Sequence, residues 1–589
     1  MSAALAAVLF FSVVITVAAL YRIRDAGIFR SRALGVAVLI TAAGILFIVW
    51  LHFSPSGLDT YSIGRDLVSW ILGWSLTAAA VTGAWRARQA ISRSLDAPPK
   101  QASRLMPLIV ALVSVIVLSV AGVIVAGRSA PVIDEMLYVL QARLFSEPRF
   151  SLSFPPELTP FFMLRQATLV GGRMLTQYPP GWPAVLALFD SAGLLRLAGP
   201  ILGAASVALT YAIGLRLHSW RAGLIASGLL LSQPWFLETQ SRYWSHSAST
   251  FFLLVAAFLL VGDRSDQKPE FWRWIGVGLS LGAAFATRPL TAATVGAALG
   301  LWYLFNTRAD SRRTALKVVI ALIGALPAIV ATGYYNEVTT GHYLQFGYGS
   351  SDTPLGSLGF GSRGYIAYDR DGVGRVVSEE FSFADAVAGQ ARVLSALVLT
   401  LLPAGLLAPF LFVAQPWRVR ARALIPFLFL PIGYFFWSYS TLRFYVEMFP
   451  YAFVGIAILY ERLRKDRPAL ARKMGIFLLA VTPAAALGYP TPARDVYERC
   501  RRATHDVDRL AQDGRVLLFV KDARNTKGSE ILLECLYLFN TKGLQGQVVV
   551  ARDLGGKNGL LMQRYPDYRP MRIEWDSKRN ATSITAFTP

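Results

Sequence analysis

The chain has 589 residues, of which 54% are hydrophobic and only 16% charged, with a mean hydropathy of +0.45; this is too apolar for a soluble multidomain enzyme of such length. The 58 basic and 36 acidic residues leave a net charge of +22, which on a soluble chain would suggest nucleic acid and here has to be read with its positions. The two cysteines, Cys500 and Cys535, are too few for a disulfide scaffold or a cysteine-rich metal site.

Apolar runs near the roughly twenty residues needed to cross about 30 Å of hydrocarbon start at once. Four precede residue 130, over 3–20, 33–51, 67–85 and 105–126. The first lacks a basic leading segment and is followed by more spans, so it reads as an anchor and not a cleaved signal. About ten more follow, near 196–216, 221–237, 246–262, 275–287, 289–305, 315–333, 388–413, 423–438, 446–460 and 474–488, for a total of about fourteen.

Short loops rich in Lys and Arg stay in the cytoplasm. Such loops follow the first span (Arg22, Arg24, Arg30, Arg32) and the third (Arg86, Arg88, Arg93, Lys100, Arg104). By alternation the same side collects Arg308, Arg312, Arg313 and Lys317, then Arg418, Arg420 and Arg422, then Arg462, Arg464, Lys465, Arg467, Arg472 and Lys473. The N-terminus is then outside, and so are three long segments: 127–195, 334–387 and the tail from 489. The basic residues are spread over separate loops, so nucleic-acid binding loses its main support.

The first long outside loop opens on Asp134, Glu135 and Tyr138, a few residues after a span. Adjacent carboxylates at a membrane surface suit a general base, because partial burial and a neighbouring charge tune their basicity. The same pair also suits the first turn of a helix running to Phe145, with Asp134 as its cap. Near the loop's end, Tyr178-Pro179-Pro180-Gly181-Trp182-Pro183 predicts a rigid aromatic corner at headgroup level, or a plain re-entry turn.

In order and sidedness, these stretches resemble the multi-pass glycosyltransferases of the C-type fold, the superfamily of the protein O-mannosyltransferases and the aminoarabinose transferases of lipid A. Three later segments resemble the same family: Ala286-Thr287-Arg288-Pro289-Leu290-Thr291 between two short spans, Tyr335-Asn336-Glu337-Val338-Thr339-Thr340-Gly341-His342-Tyr343 opening the second outside loop, and Leu442-Arg443-Phe444-Tyr445-Val446-Glu447-Met448-Phe449-Pro450 at the outer end of a late span. The resemblance spans roughly 105–490.

The resemblance implies a polyprenyl phosphate sugar donor and a hydroxyl acceptor on an envelope glycan, lipid or protein, at the outer face of the plasma membrane. Asp134 would be the base of an inverting transfer. Glu135 would position the acceptor or tune Asp134, and Tyr138 and Tyr178 would line the pocket. Arg288 and Arg443 would hold the departing lipid phosphate, although snorkelling to headgroups would also account for them. Tyr445 is read as part of the same segment. His246, beside Arg242, Tyr243, Trp244 and Ser245, is a candidate for phosphate or acceptor, or else a structural histidine. No cofactor is implied with certainty; a divalent cation shared by Asp134 and Glu135 stays open. The chain departs from the family pattern where Gln177 and Tyr178 replace the Glu-Lys pair of the aminoarabinose transferases, where Phe444 replaces Tyr, and where Glu447 replaces a proline.

The expected architecture is an α-helical polytopic membrane protein with three parts. Residues 1–104 form an added bundle of three spans, 105–488 the catalytic membrane core, and 489–589 a small extracytoplasmic α/β domain. In the tail, helices are expected over 493–513 and 529–540, strands over 516–520 and 547–551, and extended segments near 570–574 and 582–587. Gly555-Gly556-Lys557 reads as a turn more readily than as a phosphate loop, and Cys500 and Cys535 are a candidate pair in an oxidising compartment. The rival functions are a transporter or flippase of lipid-linked sugars and a non-catalytic subunit of an envelope machine. A transporter should show internal repeats and ionisable residues at mid-membrane depth.

Overall fold

A computed structural model of the chain describes residues 105–126, 133–147, 149–164, 166–170, 173–263, 270–306, 311–349, 358–368, 374–400, 429–438, 441–471, 494–521, 530–541, 544–576 and 581–587. The three spans expected before residue 104 and the span expected over 474–488 lie outside these residues, as do Arg308, Arg418, Arg420, Arg422 and the second half of the span expected over 388–413.

The chain enters through α1 (Met106–Ala126), and α2 (Ile133–Ser146) follows with both acids, Asp134 and Glu135, in its first turn. A small antiparallel sheet in the order β1 (Leu152–Ser153), β3 (Arg173–Thr176), β2 (Ala167–Val170) leads into α3 (Gly181–Ser191), which packs along α2. The bundle then continues through α4 (Ala198–Leu217), α5 (Trp220–Leu231), the short α6 (Pro234–Gln240), α7 (His246–Val261), α8 (Phe271–Thr287), α9 (Pro289–Asn306) and α10 (Ser311–Thr340). A hairpin of β4 (Gly361–Tyr368) and β5 (Gly374–Phe381) precedes α11 (Phe383–Thr400). A 3-10 segment, Leu442–Met448, runs directly into α12 (Phe449–Asp466).

Among the described residues three helices are long and apolar enough to cross a membrane: Leu195–Leu217, Ser311–Thr340 and Leu442–Asp466. Met106–Gly122, Trp220–Leu231, His246–Val261 and Pro289–Phe305 are shorter apolar helices. Sequence breaks account for the shortness. Ser219 caps α5 by accepting from the Ala222 N–H at 3.2 Å, and Pro289 starts α9 because a proline stops the helix before it. Lipid tails give no hydrophobic drive for helix pairing, so close approach matters. Gly278 of α8 lies so near the Ala321 carbonyl of α10 that any side chain there would collide.

From Arg494 the chain forms a mixed sheet in the order β7 (Val548–Arg552), β6 (Val516–Val520), β8 (Arg569–Asp576), β9 (Ala581–Ala586), with β6 parallel to β7 and β8, and β9 antiparallel. Helices α13 (Arg494–Gln512), α14 (Glu530–Leu536) and α15 (Asn558–Arg564) accompany it. Cys500 of α13 and Cys535 of α14 are joined by a disulfide. Gly555–Lys557 is one 3-10 turn held by the Asp553 carboxylate, which accepts the Gly555 N–H at 2.9 Å.

The tail is packed onto the first loop and shares one apolar core with it. The buried Tyr537 hydroxyl donates to the Phe162 carbonyl at 2.8 Å, and Arg143 of α2 donates to the Leu538 carbonyl at 3.3 Å. At its other flank α2 meets the end of α10 through Gln141, whose amide donates to the Tyr335 hydroxyl at 2.7 Å. The helix bearing Asp134 and Glu135 is thus wedged between the bundle and the tail.

Candidate active site

The end of the bundle where α7 and α9 begin and α8 ends gathers the chain's candidate residues, with the exception of Tyr445. Gly181 makes this possible on one side: a Cβ there would sit 2.7 Å from the Ala286 carbonyl, so the Tyr-Pro-Pro corner rests directly on the backbone before Arg288. The corner turns Tyr178 back onto α2, where its ring lies 4.5 Å from that of Tyr138.

Asp134 accepts a hydrogen bond from the Tyr178 hydroxyl on Oδ1, while Arg443 Nη2 stands 3.4 Å from its Oδ2. The Tyr178 oxygen also lies 2.8 Å from the side-chain amide of Gln166. A phenol has one proton, so with that proton on Asp134 the amide must present its N–H to the phenol oxygen. Burial, then the Asp134 charge, hold the Tyr178 and Tyr138 hydroxyls above their ordinary range, so both remain protonated donors.

Glu135 points the other way. It accepts from Arg242 Nη2 at 2.7 Å and from the Tyr243 backbone N–H at 3.1 Å. Its side chain has 0% exposure, against 13% for Asp134 and 19% for Arg443. Burial pushes the Glu135 carboxyl up to about 7, opposed by Arg242 and by the Tyr243 N–H. Both Glu135 oxygens are thus engaged in fixing the α6–α7 junction. A divalent ion held jointly by Asp134 and Glu135 does not fit this arrangement. Among the described residues no three His, Cys, Asp or Glu side chains converge as metal ligands.

Arg288 ends α8. Its Nη1 donates to Ser245 Oγ at 3.2 Å and its Nη2 to the Tyr434 hydroxyl at 2.9 Å, while its Nε faces Thr291 Oγ1 at 3.3 Å and Glu447 Oε1 at 3.2 Å. The Tyr138 hydroxyl donates to the same Ser245 oxygen at 3.1 Å. Arg443 lies over the Trp244 ring, 4.3 Å from its centroid. Two polar links, Asp134 to Tyr178 and Tyr138 through Ser245 to Arg288, therefore lie side by side, joined by the packing of the Tyr178 and Tyr138 rings.

His246 is fully buried, with Nδ1 2.9 Å from Glu447 Oε1. Tyr445 is not at the site: it is buried with its hydroxyl donating to Gln390 of α11 at 2.7 Å. Its place is taken by Phe444, whose ring lies 5.2 Å from the Arg288 guanidinium and stacks on Tyr434 at 4.9 Å. The reason is the 3-10 geometry of Leu442–Met448, with three residues per turn. It aligns Phe444 with Glu447 and turns Tyr445 toward α11. Sequence reasoning missed Glu447, Tyr434, Ser245, Gln166 and Tyr348, whose ring lies 5.8 Å from Tyr178. Only Glu447 carried a legible signal, as an acid in an apolar segment beside a candidate arginine.

A protein-family model described as dolichyl-phosphate-mannose-protein mannosyltransferase matches residues 183–334. No curated protein sequence matches the chain significantly. Among solved structures the chain is similar to ArnT from Cupriavidus metallidurans bound to undecaprenyl phosphate, with a TM-score of 0.50 at 13% identity, covering 81% of this chain and 94% of that one. A weaker likeness is to the archaeal oligosaccharyltransferase AglB from Archaeoglobus fulgidus in complex with an inhibitory peptide and a dolichol-phosphate, with a TM-score of 0.39 at 10% identity, covering 81% and 70% of the two chains. The sequence motifs and the course of the helices agree, and the chain has the membrane fold of the C-type glycosyltransferases.

Proposed function

We propose that the chain is an inverting glycosyltransferase that moves one sugar from a polyprenyl phosphate donor to a hydroxyl of an envelope glycan, lipid or protein. On this reading the reaction takes place at the extracytoplasmic face of the plasma membrane. Loops 127–195 and 334–387 and the tail from 489 lie on that side. The observation that carries the reading is the cluster itself: one partly exposed carboxylate, Asp134, in reach of Arg443 and bonded to Tyr178, whose ring packs on the Tyr138 that shares Ser245 with Arg288.

In the proposed step Asp134 takes the proton of the acceptor hydroxyl as its oxygen attacks the anomeric carbon. The bond from that carbon to the phosphate oxygen breaks on the opposite face, and the electron pair leaves with the lipid phosphate. Arg443 and Arg288 offset the negative charge that develops there. Tyr178 holds the Asp134 carboxylate by its other oxygen, and Glu135 fixes the segment that carries Tyr243, Trp244 and Ser245. His246 supports the arginine side of the pocket and not the acceptor.

The test is mass spectrometry of envelope glycans and glycolipids from cells with and without the protein. The expected result is loss of one sugar substituent and accumulation of the acceptor that lacks it. An unchanged envelope in cells grown under conditions where the protein is made would contradict the proposal.

A further inference from the structure

Every arginine of the site is already faced by a carboxylate: Arg242 by Glu135 at 2.7 Å, Arg443 by Asp134 at 3.4 Å, and Arg288 by Glu447 at 3.2 Å. The first two acids have roles in the proposed function. Glu447 has none, although placing an ionisable group at 0% exposure among apolar helices is expensive unless it does something a neutral side chain cannot. Its two oxygens are used unequally. Oε1 meets both the His246 ring and the Arg288 Nε, whereas Oε2 is buried with no hydrogen-bond partner among the described residues. The His246 Nε2 likewise has none. Beside a guanidinium the carboxylate acts as acceptor, so the imidazole donates through Nδ1.

Glu447 grips Arg288 from behind, by Nε, while the two Nη groups extend to Ser245 and Tyr434. We propose that Glu447, seated by His246, is a positioning residue that sets how tightly Arg288 holds the lipid phosphate. The inference rests on the assignment of Arg288 to that phosphate. Glu447 aims the guanidinium and offsets part of its charge, so the phosphate is held firmly enough to leave the sugar and loosely enough to leave the protein. His246 draws part of the Glu447 charge to itself through the Nδ1 hydrogen bond, which leaves Arg288 more of its own.

The test measures binding of undecaprenyl phosphate to the purified full chain in lipid nanodiscs, with no turnover needed. Glu447→Gln keeps the shape and removes the charge, and it should tighten binding at least about fivefold, the lower end of couplings between interacting sites. His246→Leu removes the Nδ1 donor and should weaken binding, and His246→Asn, which restores a donor near that place, should recover it. Structural damage alone does not tighten a ligand, so these opposite signs separate positioning from disruption. Unchanged or weaker binding in Glu447→Gln, or unchanged or tighter binding in His246→Leu, overturns the proposal. Should Arg288→Ala bind undecaprenyl phosphate as the native chain does, the assignment of Arg288 fails as well, and that outcome distinguishes the two failures.

Discussion

Both ends of the helical bundle are built around a buried acid paired with a base, but they use its hydrogen-bonding capacity differently. At the end away from the site, Asp263 Oδ2 accepts from Lys317 Nζ and from the Tyr303 hydroxyl, both at 2.6 Å, and its Oδ1 accepts from Trp274 Nε1 at 3.3 Å. Those four residues tie together the ends of α7, α8, α9 and α10. Around Glu447, by contrast, the buried atoms His246 Nε2, Glu447 Oε2 and Trp244 Nε1 have no hydrogen-bond partner among the described residues. A saturated network locks helices together, while an unsaturated one next to a partly exposed carboxylate keeps polar capacity for a substrate.

That contrast predicts opposite phenotypes at the two ends. Lys317→Met leaves the Asp263 charge buried without its cation and should cost about 3–5 kcal/mol of stability. It should lower the thermal unfolding temperature in detergent while leaving the KM for the donor unchanged. Arg443→Ala should do the reverse, lowering kcat/KM about 10²–10³-fold by loss of transition-state charge stabilisation, with unfolding little altered. Equal effects of both substitutions on both readouts would erase the distinction.

Two smaller effects sharpen it. The Cys500–Cys535 disulfide closes a separation of 35 residues within the tail. Replacing both cysteines by serine should cost the tail about 2–4 kcal/mol, detected as faster amide exchange over α13 and α14, with α7 to α10 unaffected. Tyr178→Phe removes one hydrogen bond to the Asp134 carboxylate and should lower kcat roughly tenfold, the worth of a bond to a charged group, at unchanged donor KM. A drop in donor affinity instead would move Tyr178 to the phosphate side of the site.

Much of the site was legible because its residues stand where polar groups are expensive. Asp134, Arg288 and Arg443 flank apolar runs, and only a shared site brings them together. The tail was legible for a different reason: strand and helix periodicities placed its elements within a few residues of α13, β6, α14 and β7. What stayed hidden depended on side-chain direction. Asp134 and Glu135 are adjacent, and their spacing gives no sign that one faces the pocket and the other Arg242. Phe444 and Tyr445 are separated by a choice between 3-10 and α geometry that this segment's composition does not announce. Lys317, expected as a loop charge fixing the cytoplasmic side, is fully buried, because Asp263, distant in sequence, meets it there.

The most direct measurement compares the envelope glycans of cells carrying the native chain, no chain, or the Asp134→Asn variant, with each protein confirmed as folded and inserted by purification in detergent. The account predicts that Asp134→Asn lacks the same sugar as the null strain while the purified variant still binds undecaprenyl phosphate. Native glycans in the Asp134→Asn strain would contradict it.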